Sequence, residues 1–336
     1  MRTNTKLAIV MYHYIRDLPR TRFPRIKGLQ TSQFEQQLAY ISRHYTVFSI
    51  ADVARAVSGD AELPANACML TFDDGFIDHY ETAFPRLLDL GMTASFFPAA
   101  VPVSESVVLD VHKVHFILAA EPDISRLNRD LLAVLEAYRP RADIPSNETL
   151  VDTYAEPGRF DPAETVFFKR VCQRGLPADV RSAVTTELFR RHVSRDEASF
   201  AGELYMSRHM LVEMIEAGMA IGGHGVSHQW LGSLPAEQQE EELVGTRRFL
   251  ESIHGRPLSA WFMSYPHGSY NHDTVAILEA EGGVLGLTGD VGLADIGHPL
   301  ELSRLNTRDL PSDRDSAPCH WTTQQLARTC ENASSD

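Results

Sequence analysis

Two short segments of this chain bring together side chains that could do chemistry. Thr71-Phe72-Asp73-Asp74-Gly75-Phe76 sets two carboxylates side by side. Adjacent carboxylates repel each other, and a protein keeps such a pair where a cation or a proton relieves the strain. Gly75 lets the backbone turn sharply, so both side chains can face one site. His224-Gly-Val-Ser-His228 holds two imidazoles four residues apart. On a helical turn that spacing puts both on one face, close enough to share an ion. With a carboxylate from Asp74 they form a two-histidine, one-carboxylate triad with positions open to water and substrate. Such a set suits a divalent ion, zinc first, with cobalt, nickel or manganese as alternatives. Asp73 is then left over as a base. Amide hydrolysis needs an activated water, a polarised carbonyl and a proton for the leaving amine. A metal supplies the first two, Asp73 can take the proton of the water, and a histidine can protonate the amine. Asp-Asp-Gly also occurs as a surface turn and HxxxH arises by chance, so the pairing of the two motifs carries the signal.

The surrounding pattern supplies elements that could position them. Leu7–Tyr12 and Ala67–Phe72 read as buried strands, the second ending in the Asp-Asp-Gly turn. Thr31–Tyr45 is periodic as a helix, with Thr31 or Ser32 as its cap, and Thr46–Ile50 is strand-like. Tyr80–Leu90 predicts a helix stopped by Gly91, and Thr93–Ala99 a strand. The rhythm resumes with a helix capped by Ser207, a short strand Met219–Gly222 leading to His224, and a long helix Pro235–His254. Strands follow at Trp261–Tyr265, Val284–Thr288 and Leu300–Leu305, with a helix Asp273–Glu281 between the first two. Repeated β-then-α units imply an α/β fold with a parallel sheet, and in such folds the reacting groups sit at the C-terminal ends of strands. The stretch 104–200 breaks the rhythm and reads as a mainly helical insertion, expected to cover part of the mouth and set substrate choice. After Pro311 the chain turns polar, so residues 311–336 are expected to be a loosely ordered tail on a single domain spanning 1–310.

These motifs resemble those of the polysaccharide deacetylases of carbohydrate esterase family 4, which carry the NodB-type homology domain. Thr71–Phe76 matches the first family motif and His224 with His228 the second; Tyr265-Pro266-His267-Gly268 is similar to the third. The resemblance covers roughly residues 5–100 and 205–305. It implies a distorted (β/α) barrel of about seven strands and removal of an N-acyl group from an amino sugar. It also implies Asp73 as general base, Asp74, His224 and His228 as metal ligands, and the backbone N–H of His267 as oxyanion donor. Tyr265, Pro266, Gly268 and Arg304 are then expected at the substrate. Two departures stand out. Ser264 occupies the place of the arginine that orients the base in the family, a role Arg304 could fill. The histidine of the fifth motif, the general acid, has no counterpart in Leu302-Ser-Arg-Leu-Asn-Thr-Arg-Asp309. His13, after the first strand, is the candidate replacement, as a similar Tyr-His pair occurs in a subgroup of the family; the ring of His267 is a second.

The remaining polar and aromatic residues read as structural. His112 and His115 are taken as packed or surface residues, His79 and His298 have no evident partner, and Glu240–Glu242 is a solvated helix face. Phe72, Phe76, Phe96 and Phe97 read as core, while Trp261 or Tyr265 could stack on a sugar ring.

Bulk properties bound the partners. With 45 acidic against 31 basic residues in 336, the formal charge is −14, which disfavours nucleic acid and anionic membranes. The four cysteines include no CxxC pair, so reduced thiols are expected, with Cys319–Cys330 as the one pairing left open. No signal-peptide core or membrane-spanning run is evident, which points to a cytoplasmic enzyme acting on a saccharide precursor. Two rivals remain: an amidohydrolase for a small non-sugar amide, and an inactive saccharide-binding barrel.

Overall fold

Seven short parallel strands carry the architecture in a computed structural model of the chain, which describes residues 6–158 and 161–333. They are β1 (Lys6–Tyr12), β2 (Ala67–Asp73), β3 (Ser95–Phe97), β4 (Ala220–Ile221), β5 (Trp261–Ser264), β6 (Gly283–Val291) and β7 (Leu302–Asn306). Their order is β4-β3-β2-β1-β7-β6-β5. A parallel bridge between Gly223 and Met263 joins the two ends, with Gly223 N donating to Phe262 O and Ser264 N to Gly223 O. The result is a distorted (β/α) barrel. β1 lies against both β2 and β7, and Leu7 through Val10 are completely buried, as expected of a strand covered on both faces.

The chain divides into two compact units. The first contains all seven strands and is made of Met1–Asp17, Gly28–Glu105 and Leu204–Asp336. The second is Leu18–Lys27 with Ser106–Glu203, and it is helical, including Asp110–Ala120, Ile124–Tyr138, Ala163–Arg174 and Ala178–His192. Its core is Phe116, Leu127, Leu131, Phe168 and Leu188. Leu18–Lys27 was not foreseen as part of it. Phe23 packs edge-on against Phe116 at 5.1 Å, and Arg25 donates twice to Ala119 O. These contacts join segments about a hundred residues apart, which local periodicity cannot reveal.

Several element boundaries differ from the sequence expectation. Ile50 opens a helix, Ile50–Ser58, rather than closing a strand, because Ser49 caps it: Asp52 N donates to Ser49 Oγ and Ser49 N to Asp52 Oδ2. The first helix is capped one residue earlier, by Gln30. The expected helix 80–90 begins as a π-turn, His79–Ala83, followed by Phe84–Asp89. Tyr265 and Trp261 are core residues with no face for a sugar. Tyr265 is fully buried with its hydroxyl donating to Leu300 O, and Trp261 Nε1 donates to Glu281 O. Cys319 is a free thiol, and the side chain of Cys330 lies outside the described residues. No helix among the described residues is long and apolar enough to cross a membrane.

The C-terminal segment forms a docked helix, His320–Ala333, where a loose tail was expected. Among its described side chains the fully buried ones are polar, which disguised it: Thr322 and Gln325 are buried, and Gln325 Nε2 donates to Ala67 O. The hydroxyls of Tyr40 and Tyr45 meet Thr322 Oγ1 at 2.8 and 2.7 Å. Replacing Thr322 with valine keeps the shape and strips both tyrosines of that partner. The expected loss is about 1–3 kcal/mol in urea unfolding; an unchanged unfolding midpoint would show that the helix adds nothing to the barrel.

Candidate metal centre

Asp73 ends β2, and Asp74 follows with a left-handed φ of 75°. That reversal sends the two carboxylates in different directions. Gly75 continues it at φ 69°, and a Cβ there would lie 2.7 Å from Pro98 Cβ, so only glycine fits the turn.

Asp73 faces a permanent cation. Arg304, from β7, approaches Oδ1 through Nη1 at 3.0 Å and Oδ2 through Nη2 at 2.8 Å. Its Nε donates to Thr288 O, and Ser264 Oγ donates to Asp73 Oδ2 at 3.1 Å. Burial pushes the Asp73 carboxyl up, but Arg304, then His224 and His13, outweigh it and hold it below the usual carboxylate range. Arg304 is itself buried and its donors are committed to Asp73 and Thr288. The guanidinium of Arg304 is thus turned to the Asp73 carboxylate.

Asp74 faces the histidine pair. Its Oδ1 lies 3.4 Å from His224 Nε2 and 3.2 Å from His228 Nε2, and the two nitrogens are 3.1 Å apart. All three residues are buried. The histidines reach this arrangement without a helix: the segment between them is an irregular loop, with Gly225 at φ 76° and His228 at φ 58°. His224 Nδ1 lies 2.7 Å from Ser264 O. A carbonyl can only accept, so Nδ1 carries the hydrogen and the neutral ring turns the lone pair of Nε2 inward. Burial lowers the basicity of His224, but Asp74 and Asp73 overcome it and raise its pKa. The donor set thus attracts positive charge. A point common to the three atoms lies about 2 Å from each, in keeping with zinc bonded to imidazole and carboxylate. Among the described residues, this is the group of histidine, cysteine and acidic side chains that converges closely enough to hold an ion.

Sequence reasoning missed the residues that hold this loop. Glu242, read as part of a solvated run, accepts from Val226 N at 2.7 Å and from Ser227 N and Oγ. Only Glu240 and Glu241 are exposed. The run of three glutamates in the sequence carried no signal of which member turns inward.

His13 follows β1 and is exposed at its end. Its carbonyl accepts from His79 Nε2 at 3.0 Å, so His79 has the partner that the sequence did not reveal. Asp78 fixes the next residues, accepting from Ile15 N at 3.2 Å and Arg16 Nε at 2.7 Å. His267 occupies a left-handed turn at φ 58°, between buried Pro266 and Gly268. Its ring meets the edge of His228 and lies flat on Trp230. Tyr265 is turned away into the core.

The polysaccharide deacetylase family model matches residues 182–284, a span that includes both histidines of the pair. A candidate polysaccharide deacetylase of Bacillus subtilis (strain 168), YxkH, is 19% identical over 290 residues, covering 86% of this chain and 66% of its own length. The chain therefore spans just under two thirds of that relative. The poly-beta-1,6-N-acetyl-D-glucosamine N-deacetylase of Escherichia coli (strain K12) is 38% identical over 64 residues, 19% of this chain and 10% of that protein. Among solved structures, the Streptococcus pyogenes deacetylase PplD in complex with acetate superposes with a TM-score of 0.53 at 19% identity, covering 90% of this chain and 93% of that one. IcaB from Ammonifex degensii gives 0.52 at 16% identity, covering 90% and 91%. At these identities the superpositions establish the shared fold.

Burial pushes the His79 imidazole down to about 4 from an ordinary 6.5, outweighing its bond to His13 O. Between those values the unfolded chain takes up a proton that the folded chain refuses, so stability falls as the pH drops through that window. His79 should account for a loss of about 2 kcal/mol between pH 7 and pH 5. Urea unfolding of His79→Gln at both pH values should show that much less acid sensitivity; an identical pH slope would mean that His79 titrates normally.

Proposed function

We propose that the chain is a polysaccharide deacetylase, on the match of residues 182–284 to that family's model, and that it hydrolyses the N-acyl amide, foremost the N-acetyl, of an amino sugar within a saccharide. The observation that carries this reading is the convergence of Asp74, His224 and His228 beside a separately neutralised Asp73. In it, Asp74, His224 and His228 would hold a divalent ion, with zinc favoured by two imidazoles and a carboxylate, and cobalt, nickel or manganese as alternatives. Such an ion supplies Lewis acidity, lowering the pKa of water and polarising the acyl carbonyl.

The protein groups do the rest. Asp73 takes a proton from the attacking water. Arg304 and Ser264 keep it ionised and oriented, so that it is ready as a base at neutral pH. The backbone N–H of His267, a residue in a left-handed turn, would be the donor to the developing oxyanion. A proton must also reach the leaving nitrogen. His13, exposed at the end of β1 and pinned through its carbonyl by His79, is the first candidate donor, and the His267 ring the second. The 64-residue similarity to a poly-beta-1,6-N-acetyl-D-glucosamine N-deacetylase makes that linkage the first to try.

Acetate release from β-1,6- and β-1,4-linked N-acetylglucosamine oligomers, with zinc or cobalt added, tests the reading. Release should stop with a chelator, and Asp73→Asn should lower turnover by about 10²–10⁴-fold while keeping the metal. Metal-dependent release that survives Asp73→Asn would remove Asp73 as the base. Release from small non-sugar amides alone would replace the saccharide substrate.

A further inference from the structure

The two histidines of the candidate centre are oriented by different means. His224 is tied through Nδ1 to Ser264 O. His228 stands at the end of an irregular loop in a left-handed conformation, and its ring is backed by other rings. The His228 and His267 centroids are 4.4 Å apart with planes at 71°, an edge-to-face contact. The His267 ring in turn lies parallel to Trp230, with centroids 4.2 Å apart and planes only 6° from parallel.

This stack is built on two loops fastened to each other. Leu231, next to Trp230, is fully buried. Gly232 N donates to Ser269 Oγ at 3.2 Å, and Asn271 Nδ2 donates to Gly232 O at 3.3 Å. A Cβ on Gly232 would lie 2.7 Å from Tyr270 O, so the loops approach as closely as backbones can. On the other side, a Cβ on Gly268 would lie 2.7 Å from Gly289 N, which seats the His267 turn against β6. Trp230 and His267 therefore cannot shift independently, and the ring of His228 rests against their joint surface.

We infer that Trp230 and His267 form an aromatic buttress that fixes the His228 imidazole and thereby sets how tightly the Asp74–His224–His228 centre binds its ion. The inference rests on the metal reading above. Both are positioning residues: neither belongs to the converging donor group. Groups that orient metal ligands typically govern affinity by ten- to a hundredfold when lost.

The test uses metal-stripped full-length protein titrated with Co²⁺, reading the visible absorption and the Kd, with Zn²⁺ Kd from chelator competition. Trp230→Leu should weaken both ions about ten- to a hundredfold and alter the Co²⁺ spectrum, with an unchanged metal-free Tm. Trp230→Phe, which restores a flat ring, should recover most of the affinity. His267→Asn, whose side chain tolerates the left-handed backbone, removes the middle ring and should weaken binding in the same way. Wild-type affinity and spectrum in a folded Trp230→Leu or His267→Asn would overturn the buttress while leaving the metal reading intact. A wild-type chain that takes up no ion would overturn both.

Discussion

Asp73 and Asp74 are consecutive and both almost fully buried. Like charges that close repel by several kcal/mol inside a protein, so each must meet its own positive partner. The left-handed φ of Asp74 makes this feasible by sending the two groups apart. One meets Arg304, a permanent cation brought across by β7. The other meets two imidazoles, whose charge depends on a proton or an ion. In the proposed function this asymmetry would separate a group kept ionised as a base, Asp73, from a group left to attract a metal, Asp74. Strand order serves it too. Thr71 Oγ1, beside Arg304 Nη1, donates to Val10 O, so β1, β2 and β7 are linked at the point where the charges must balance.

The centre is also where the backbone departs from its usual conformations. Among the described residues, four other than glycine have positive φ: Asp74, His228, His267 and Ser106. Three of these belong to the site. Such conformations cost about 1–3 kcal/mol each and persist only where the surroundings leave no alternative. Here the surroundings are specific: Gly75 against Pro98, Glu242 gripping the amides of Val226 and Ser227, and the Pro266–Gly268 turn seated on Gly289. The π-turn at His79 adds a further departure, and it serves to hold the His13 carbonyl.

The sequence made the barrel legible because its strands are short apolar runs bounded by turns and its helices keep their period. The grouping of Asp74, His224 and His228 was legible because two motifs, each weak alone, complement each other chemically at strand ends. What remained hidden depended on contacts distant in sequence. Arg304 lies more than two hundred residues from Asp73, and only strand order reveals that the two meet. Glu242 looked like its exposed neighbours because a charge run does not say which member turns inward. The helix carrying Thr322 and Gln325 escaped notice because these two described buried side chains are polar, so hydrophobic periodicity has little to report. The histidine spacing suggested a helical turn, whereas two left-handed residues achieve the same convergence in a loop.

The central claim is that Asp74 Oδ1, His224 Nε2 and His228 Nε2 surround one divalent ion. Crystals of the purified chain grown with zinc, measured on both sides of the zinc absorption edge, test it most directly. The account predicts a single strong anomalous peak about 2 Å from all three atoms, absent from His228→Ala. A peak elsewhere, or none at this point in crystals that take up zinc, would contradict it.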